Sequence, residues 1–258
     1  MSYGRNRHNE AFNLKRSKKR GARNVAPDLC DVLTAIDAVD RPGLRQITQP
    51  LQPRTERQRR YLGAMRESVI TFGMGPAGTG KTYVCGAYAA DELAAARITK
   101  IIITRPAVEA GEKLGYLPGE LEDKYAPYLA PFRDVLDERL GKSHVDLLLK
   151  RGRIEASPLA YMRGRTFRDA FVILDEAQNT TPEQMRMFLT RIGENCRVVV
   201  NGDVRQQDIK GQSGLADAAA RLGWIPQVSI VEFTAEDIVR SDIVSDIIQS
   251  YDKDCPQR

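Results

Sequence analysis

Apolar positions fall into short unbroken runs, separated by longer stretches in which they recur every three or four residues. The runs lie at 69–74, 100–104, 154–157, 171–174, 198–201 and 228–233. Stretches such as Ile101-Ile102-Ile103 and Val198-Val199-Val200 show no alternation, which predicts strands covered on both faces, as in a parallel sheet. Between the runs the pattern turns helical. Thr55 opens a helix to about residue 66, and helical candidates lie at 128–140 and 144–149. The best-marked helix has Thr181 as N-cap, Pro182 in first position and Gln184 closing a capping box. Its buried stripe is Met185, Phe188, Leu189 and Ile192, ended by Gly193. Strands alternating with helices predict an α/β fold, a mostly parallel sheet flanked by helices. Ahead of it, 27–40 predicts a short amphipathic helix and 47–53 a connector with two prolines.

The chain has 258 residues, 42% of them hydrophobic, enough for one full core or two small ones, which excludes a disordered or fibrous protein. No apolar run approaches the roughly 18 to 20 residues of a bilayer-spanning helix. The N-terminus carries charge where a secretory signal needs an apolar stretch, so the expectation is a cytoplasmic protein with no membrane partner. Cys30, Cys85, Cys196 and Cys255 are widely spaced, which points to reduced thiols rather than a disulfide framework or zinc site. The net charge of +5 is concentrated in a tail, because residues 1–24 hold eight basic side chains against Glu10 alone. The tail, taken as 1–25, is either a solvated arm or one that binds polyanions through counterion release. A helix and connector occupy 26–52. The main domain runs from 53 to 258, with an insertion at about 105–153.

The strongest chemical signal is Gly75-Pro76-Ala77-Gly78-Thr79-Gly80-Lys81-Thr82, a full G-x-x-x-x-G-K-[ST] between a predicted strand and a helix-compatible run that starts with Tyr83. Glycines let the backbone curl around phosphate oxygens, and the following helix N-terminus favours negative charge. In that pattern Lys81 reaches the β- and γ-phosphates of a nucleotide, and Thr82 holds Mg²⁺. A second strand ends in Asp175-Glu176, which places Asp175 beside the metal and Glu176 where it can deprotonate an attacking water. A third ends in Gly202-Asp203-Val204-Arg205-Gln206, and Gln206 is the candidate contact to the γ-phosphate or the water.

With these motifs on the page, the chain resembles the PhoH family of P-loop ATPases, from Glu56-Arg57-Gln58 through GPAGTGKT, TRPAVEAGEKLGYLPGE, YMRGRTF, VILDEAQNTT and GDVRQQD to DIVRSDIV. The resemblance implies a RecA-like fold, similar to the helicase superfamily 1 core, with ATP and Mg²⁺ as cofactors. It implies that Gln58 recognises adenine and that Arg240 is the late arginine used against the γ-phosphate. Arg105, Arg163 and Arg165 match basic positions that serve either a phosphate or a nucleic acid, and Lys113, in the same block as Arg105, is a further nucleic-acid candidate. The chain looks like a short, phage-like form without an extra N-terminal or nuclease domain, which would place it in the host cytoplasm.

A superfamily 1 helicase closes two RecA-like lobes around ATP, and this chain has length for one. The second wall of the cleft is therefore expected from another subunit, in a homo-oligomer such as a hexameric ring. The function expected is ATP hydrolysis coupled to remodelling RNA or single-stranded DNA. A regulatory ATPase that switches a protein partner is the alternative. A small-molecule kinase is disfavoured by Glu176, a base poised for water.

Overall fold

The structure is a computed structural model that describes residues 49–106 and 121–239. The basic tail, the helix expected at 27–40, Lys113, Arg240, Cys30 and Cys255 lie outside the described residues. The described part contains a six-stranded sheet, all parallel, in the order β3-β2-β4-β5-β1-β6. Its strands are β1 (Ile70–Met74), β2 (Lys100–Arg105), β3 (Ile154–Pro158), β4 (Ala170–Leu174), β5 (Arg197–Gly202) and β6 (Val228–Glu232). All six apolar runs are strands. Period two splits the runs of β2, β4 and β5 between two cores: Ile101, Ile103, Phe171, Ile173 and Val199 face one layer, and Ile102, Val172, Leu174, Val198 and Val200 face the other.

The first layer holds α1 (Glu56–Glu67), α2 (Lys81–Ala94), α3 (Leu121–Leu140) and α4 (Lys142–Lys150), all contributing to one apolar cluster. α2 and α3 approach closely at Gly86, where a Cβ would lie 2.8 Å from Val135 and 3.2 Å from Phe132. Arg139 clamps the pair through Asp91, at 2.6 Å from both carboxylate oxygens. α3 begins at Leu121, ahead of the expected start at Tyr128, and runs through Pro127 and Pro131. Proline removes a helical donor, which is why the sequence pattern reads as broken there.

The opposite layer holds α5 (Pro182–Leu189) and α6 (Gly214–Leu222). Both bonds of the capping box form: Gln184 N donates to Thr181 Oγ1 at 3.3 Å, and Thr181 N to Gln184 Oε1 at 2.9 Å. α5 ends at Leu189, short of the expected Gly193. The cause is tertiary, since Phe167 N bonds Arg191 O at 2.8 Å and Asp169 N bonds Glu194 O at 3.1 Å, drawing 191–194 off the helix axis. α6 is an element the strand-and-helix pattern above did not include.

The sheet order decides where chemistry occurs. The chain leaves β1 for β2 on one side, whereas β6 joins β1 on the other, and open parallel sheets form a crevice at the carboxyl end of such a switch point. Thr181→Ala removes an N-cap and half of the capping box, so it is expected to lower the unfolding free energy by about 1 kcal/mol. Urea denaturation followed by circular dichroism checks this.

Candidate nucleotide site

The loop between β1 and α2 turns on three glycines. Gly75, Gly78 and Gly80 have φ of 137°, 84° and 81°. A Cβ at Gly75 would lie 2.4 Å from Phe233 O, and one at Gly80 would lie 2.6 Å from Gln58 Nε2. Gly80 is the N-cap of α2 and supplies no side-chain partner, so the first N–H groups of the helix remain available to an anion. Lys81 folds back on this loop, donating to Gly75 O at 2.6 Å, Pro76 O at 2.7 Å and Thr79 Oγ1 at 3.3 Å. Burial pulls its pKa below the usual lysine value, opposed by the charges of Asp203, Asp175 and Glu176.

Two supports hold the cradle from outside. Gln58, buried on α1, donates to Thr79 O at 2.9 Å and accepts from Arg54 N at 2.8 Å. Its amide therefore touches the back of the loop in this state. Val239 N bonds Gly78 O at 2.9 Å, and the segment before it is gripped by an Arg57–Asp237 ion pair at 3.2 Å. Arg240 is the next residue in the chain and lies outside the described part. Tyr83 is exposed at the cleft rim and donates to Glu138 on α3 at 3.1 Å.

Across the cleft, β4 delivers the acids. Asp175 is 4% exposed, and Arg105, from the end of neighbouring β2, donates to its Oδ2 at 2.5 Å through Nη2 and at 3.2 Å through Nε. Burial raises the Asp175 pKa above its ordinary value, and Arg105 opposes that rise. Glu176 is half exposed and takes the left-handed conformation at φ 54°, a strained geometry for a non-glycine residue. Its carboxylate is fixed by Gln178, whose Nε2 donates to Oε2 at 2.7 Å while its Oε1 accepts from Asp203 N at 3.1 Å.

The loop after β5 is fastened to the same turn. Asn179 exchanges bonds with Asp208, donating to Oδ2 at 3.2 Å and accepting from its N–H at 2.8 Å. Ser213 Oγ donates to Gln178 O at 3.0 Å. Gln206 sits on this loop and faces a cleft of about 320 Å³, which also brings Lys81 and Thr82 opposite Asp175 and Glu176. Sequence reasoning passed over Gln178 and Asp203, although both lie within motif blocks it used. Arg163 and Arg165 do not line this cleft; they lie on the turn after β3.

The donors present suit a hard divalent cation. Thr82 and Asp175 offer oxygen, and among the described residues no three of His, Cys, Asp or Glu converge on one point. Mg²⁺ in nucleotide sites takes few protein ligands and completes its shell with phosphate oxygens and water. The same residues fit that pattern.

Residues 50–252 match the profile of the family described as PhoH-like protein. A PhoH-like protein of Bacillus subtilis is 53% identical over 205 residues, 79% of this chain and 64% of the relative. A PhoH-like protein of Mycobacterium tuberculosis is 48% identical over 233 residues, 90% of this chain and 64% of the relative. Protein PhoH of Escherichia coli is 48% identical over 208 residues, 79% of this chain and 59% of the relative. The aligned part thus spans about three-fifths of these relatives' length.

Arg105→Ala leaves the Asp175 carboxylate buried without its cation and is expected to destabilise the ligand-free protein by about 3 kcal/mol. Adding Asp175→Ala should cost less than the two single losses together. The folded state holds the Asp175 proton more tightly than the unfolded chain, so this group's contribution to stability rises as pH falls through its folded pKa. Removing Arg105 lifts that pKa further, and the loss should be largest near neutrality and shrink in mild acid. Chemical denaturation of the three variants at both pH values checks the cycle and the sign.

Proposed function

The chain belongs to the PhoH family, and on that footing we propose that it is a magnesium-dependent ATPase, acting as a homo-oligomer on RNA or single-stranded DNA in the cytoplasm. The observation that supports this most is the meeting of the Gly80-Lys81-Thr82 turn with Asp175-Glu176 across one cleft, the carboxylate of Glu176 held there by Gln178. On this reading the loop N–H groups receive the phosphate chain, and Lys81 turns from its own carbonyls to the β- and γ-phosphate oxygens. Thr82 and Asp175 would hold Mg²⁺, which would supply charge neutralisation to the phosphate chain. Arg105 must then leave Asp175, since one carboxylate cannot keep both cations at full strength.

Hydrolysis forms a bond from water oxygen to the γ-phosphorus and breaks the bond to the leaving ADP oxygen. Glu176 accepts the water proton, a step that typically contributes about 10²–10⁴-fold. Gln206 aligns the water or contacts the γ-phosphate, Gln58 faces the adenine, and Arg240 stabilises the transition-state charge, in its own or a neighbouring subunit. The open side of the cleft is closed by a second protomer in the ring.

An ATPase assay with and without oligonucleotide, on protein of measured mass in solution, tests the reading. Folded, oligomeric protein that releases no phosphate contradicts it. Glu176→Gln is expected to lower kcat about 10²-fold or more while the Kd of a nonhydrolysable analogue stays within about twofold. Gln178→Ala removes one hydrogen bond to the base, so kcat should fall about tenfold with the same Kd. Quench-flow or coupled-assay kinetics beside calorimetry separates the two quantities.

A further inference from the structure

Central strand β5 carries an asparagine where its neighbours are valines. Asn201 is 0% exposed, two residues before Asp203, and period two puts it on the face of Val199, toward α1 and α2. A buried amide is costly unless its hydrogen bonds are made. Here they are. Tyr61 on α1 donates its hydroxyl to Asn201 Oδ1 at 2.6 Å, Asn201 Nδ2 donates to Cys85 Sγ on α2 at 3.3 Å, and Cys85 Sγ donates to Thr82 O at 3.4 Å. Tyr61 and Cys85 are as deeply buried as the amide they flank. Burial pushes the Tyr61 phenol well above its ordinary value, so it keeps the proton that it donates. Every bond runs the same way, from α1 through β5 to the first turn of α2.

β1 is shaped to admit this bridge. Gly73 lies opposite Asn201 in the register, and a Cβ there would come within 2.5 Å of Asn201 Oδ1 and 2.9 Å of the Tyr61 ring. Glycine inside a strand weakens it and marks a close approach by a neighbour. The Tyr61 ring makes a second contact, meeting Phe233 edge-on with centroids 5.5 Å apart, and the Lys81 ammonium lies 5.8 Å from the Phe233 centroid. Tyr61 therefore reaches the glycine loop by two routes, through Phe233 to Lys81 and through Asn201 and Cys85 to Thr82. Tyr61, Asn201, Cys85 and Phe233 do not themselves line the cleft.

The two elements that Asn201 joins carry different duties in the ATPase reading, on which this inference rests. α2 brings Lys81 and Thr82 to the cleft, and β5 brings Asp203 and the loop with Gln206. The glycine loop has supports of its own in Gln58 and Val239, so its shape does not depend on the bridge. We infer that Tyr61 and Asn201 are positioning residues that fix the first turn of α2 against the end of β5, and so set the distance from Lys81 and Thr82 to the loop carrying Gln206. Their effect belongs to the transition state, where a misplacement of about 1 Å can cost on the order of 10²-fold in rate. Binding of the phosphate chain, which the glycine loop governs, is left almost unchanged.

Steady-state ATPase kinetics, calorimetry with a nonhydrolysable ATP analogue and Mg²⁺, and urea unfolding of the full chain test the role. Tyr61→Phe leaves Asn201 Oδ1 buried without its donor, so kcat should fall about tenfold and the unfolding midpoint should drop, while the Kd of the analogue stays within about twofold. Combining Tyr61→Phe with Asn201→Leu replaces both partners by apolar groups of similar shape. The midpoint should then return toward that of wild type while kcat stays low. Gly73→Ala pushes on the same pair and should also lower kcat with Kd held. Recovery of kcat together with the midpoint in the double variant overturns the role and leaves the pair as packing alone. Wild-type kcat in Tyr61→Phe or in Gly73→Ala overturns it too, and so does a Kd that weakens in step with kcat, because the pair would then shape the binding loop. Should the double variant not fold, the two single variants decide by the same criteria. Wild-type protein that is folded and oligomeric yet releases no phosphate sinks the ATPase reading and the role together, whereas a wild type that turns over confines any failure to the role.

Discussion

A carboxylate buried at the end of a central strand needs a cation, and Asp175 meets that need with Arg105. The sheet order makes the pairing possible. β2 lies beside β4, in a register that sets Thr104 opposite Leu174, so the residues that follow each strand emerge side by side. The same order puts β5 between β4 and β1, and the glycine loop therefore faces the acids across one intervening strand. Arg105 thus ends β2, and Asp175 and Glu176 directly follow β4, positioned by the hydrogen-bond register of the sheet.

Around that carboxylate the polar groups are wired together. Gln178 ties Glu176 to the end of β5, Asn179 ties the same turn to Asp208, and Ser213 ties it to the start of α6. A change at Glu176 is therefore felt by the loop that carries Gln206, and a shift of that loop is felt by Glu176. Charge couples the two walls as well, since Asp203, Asp175 and Glu176 all support the ammonium of Lys81 against burial. The energetic sense is that ligand-free protein satisfies its buried ions internally, through Arg105 on Asp175 and loop carbonyls on Lys81. A bound magnesium nucleotide would replace both sets of partners.

Much of the fold was legible because unbroken apolar runs have few uses besides covered strands, and all six observed strands fall within a residue or two of them. The cap of α5 was legible from three residues, Thr181, Pro182 and Gln184. Its end was not, because Ile192 continues the helical period while its backbone neighbours bond to 167–169. α6 went unread although its signals are local: the Ser213 cap and an apolar stripe of Leu215, Ala218, Ala219 and Leu222 are all present in the sequence. In the site, the glycine loop and acid pair are contiguous motifs and stand out in sequence. The Arg105–Asp175 contact joins residues 70 apart, and the Gln178–Asp203 contact depends on β4 and β5 being neighbours. Such facts belong to strand pairing, which local patterns do not encode.

The most direct measurement is calorimetric titration of the folded protein with a nonhydrolysable ATP analogue, once with Mg²⁺ and once with the cation chelated. The account predicts saturable heat with Mg²⁺ and an affinity about tenfold or more weaker without it. A folded sample that gives no saturable heat in either condition would contradict the assignment of this cleft to a magnesium nucleotide.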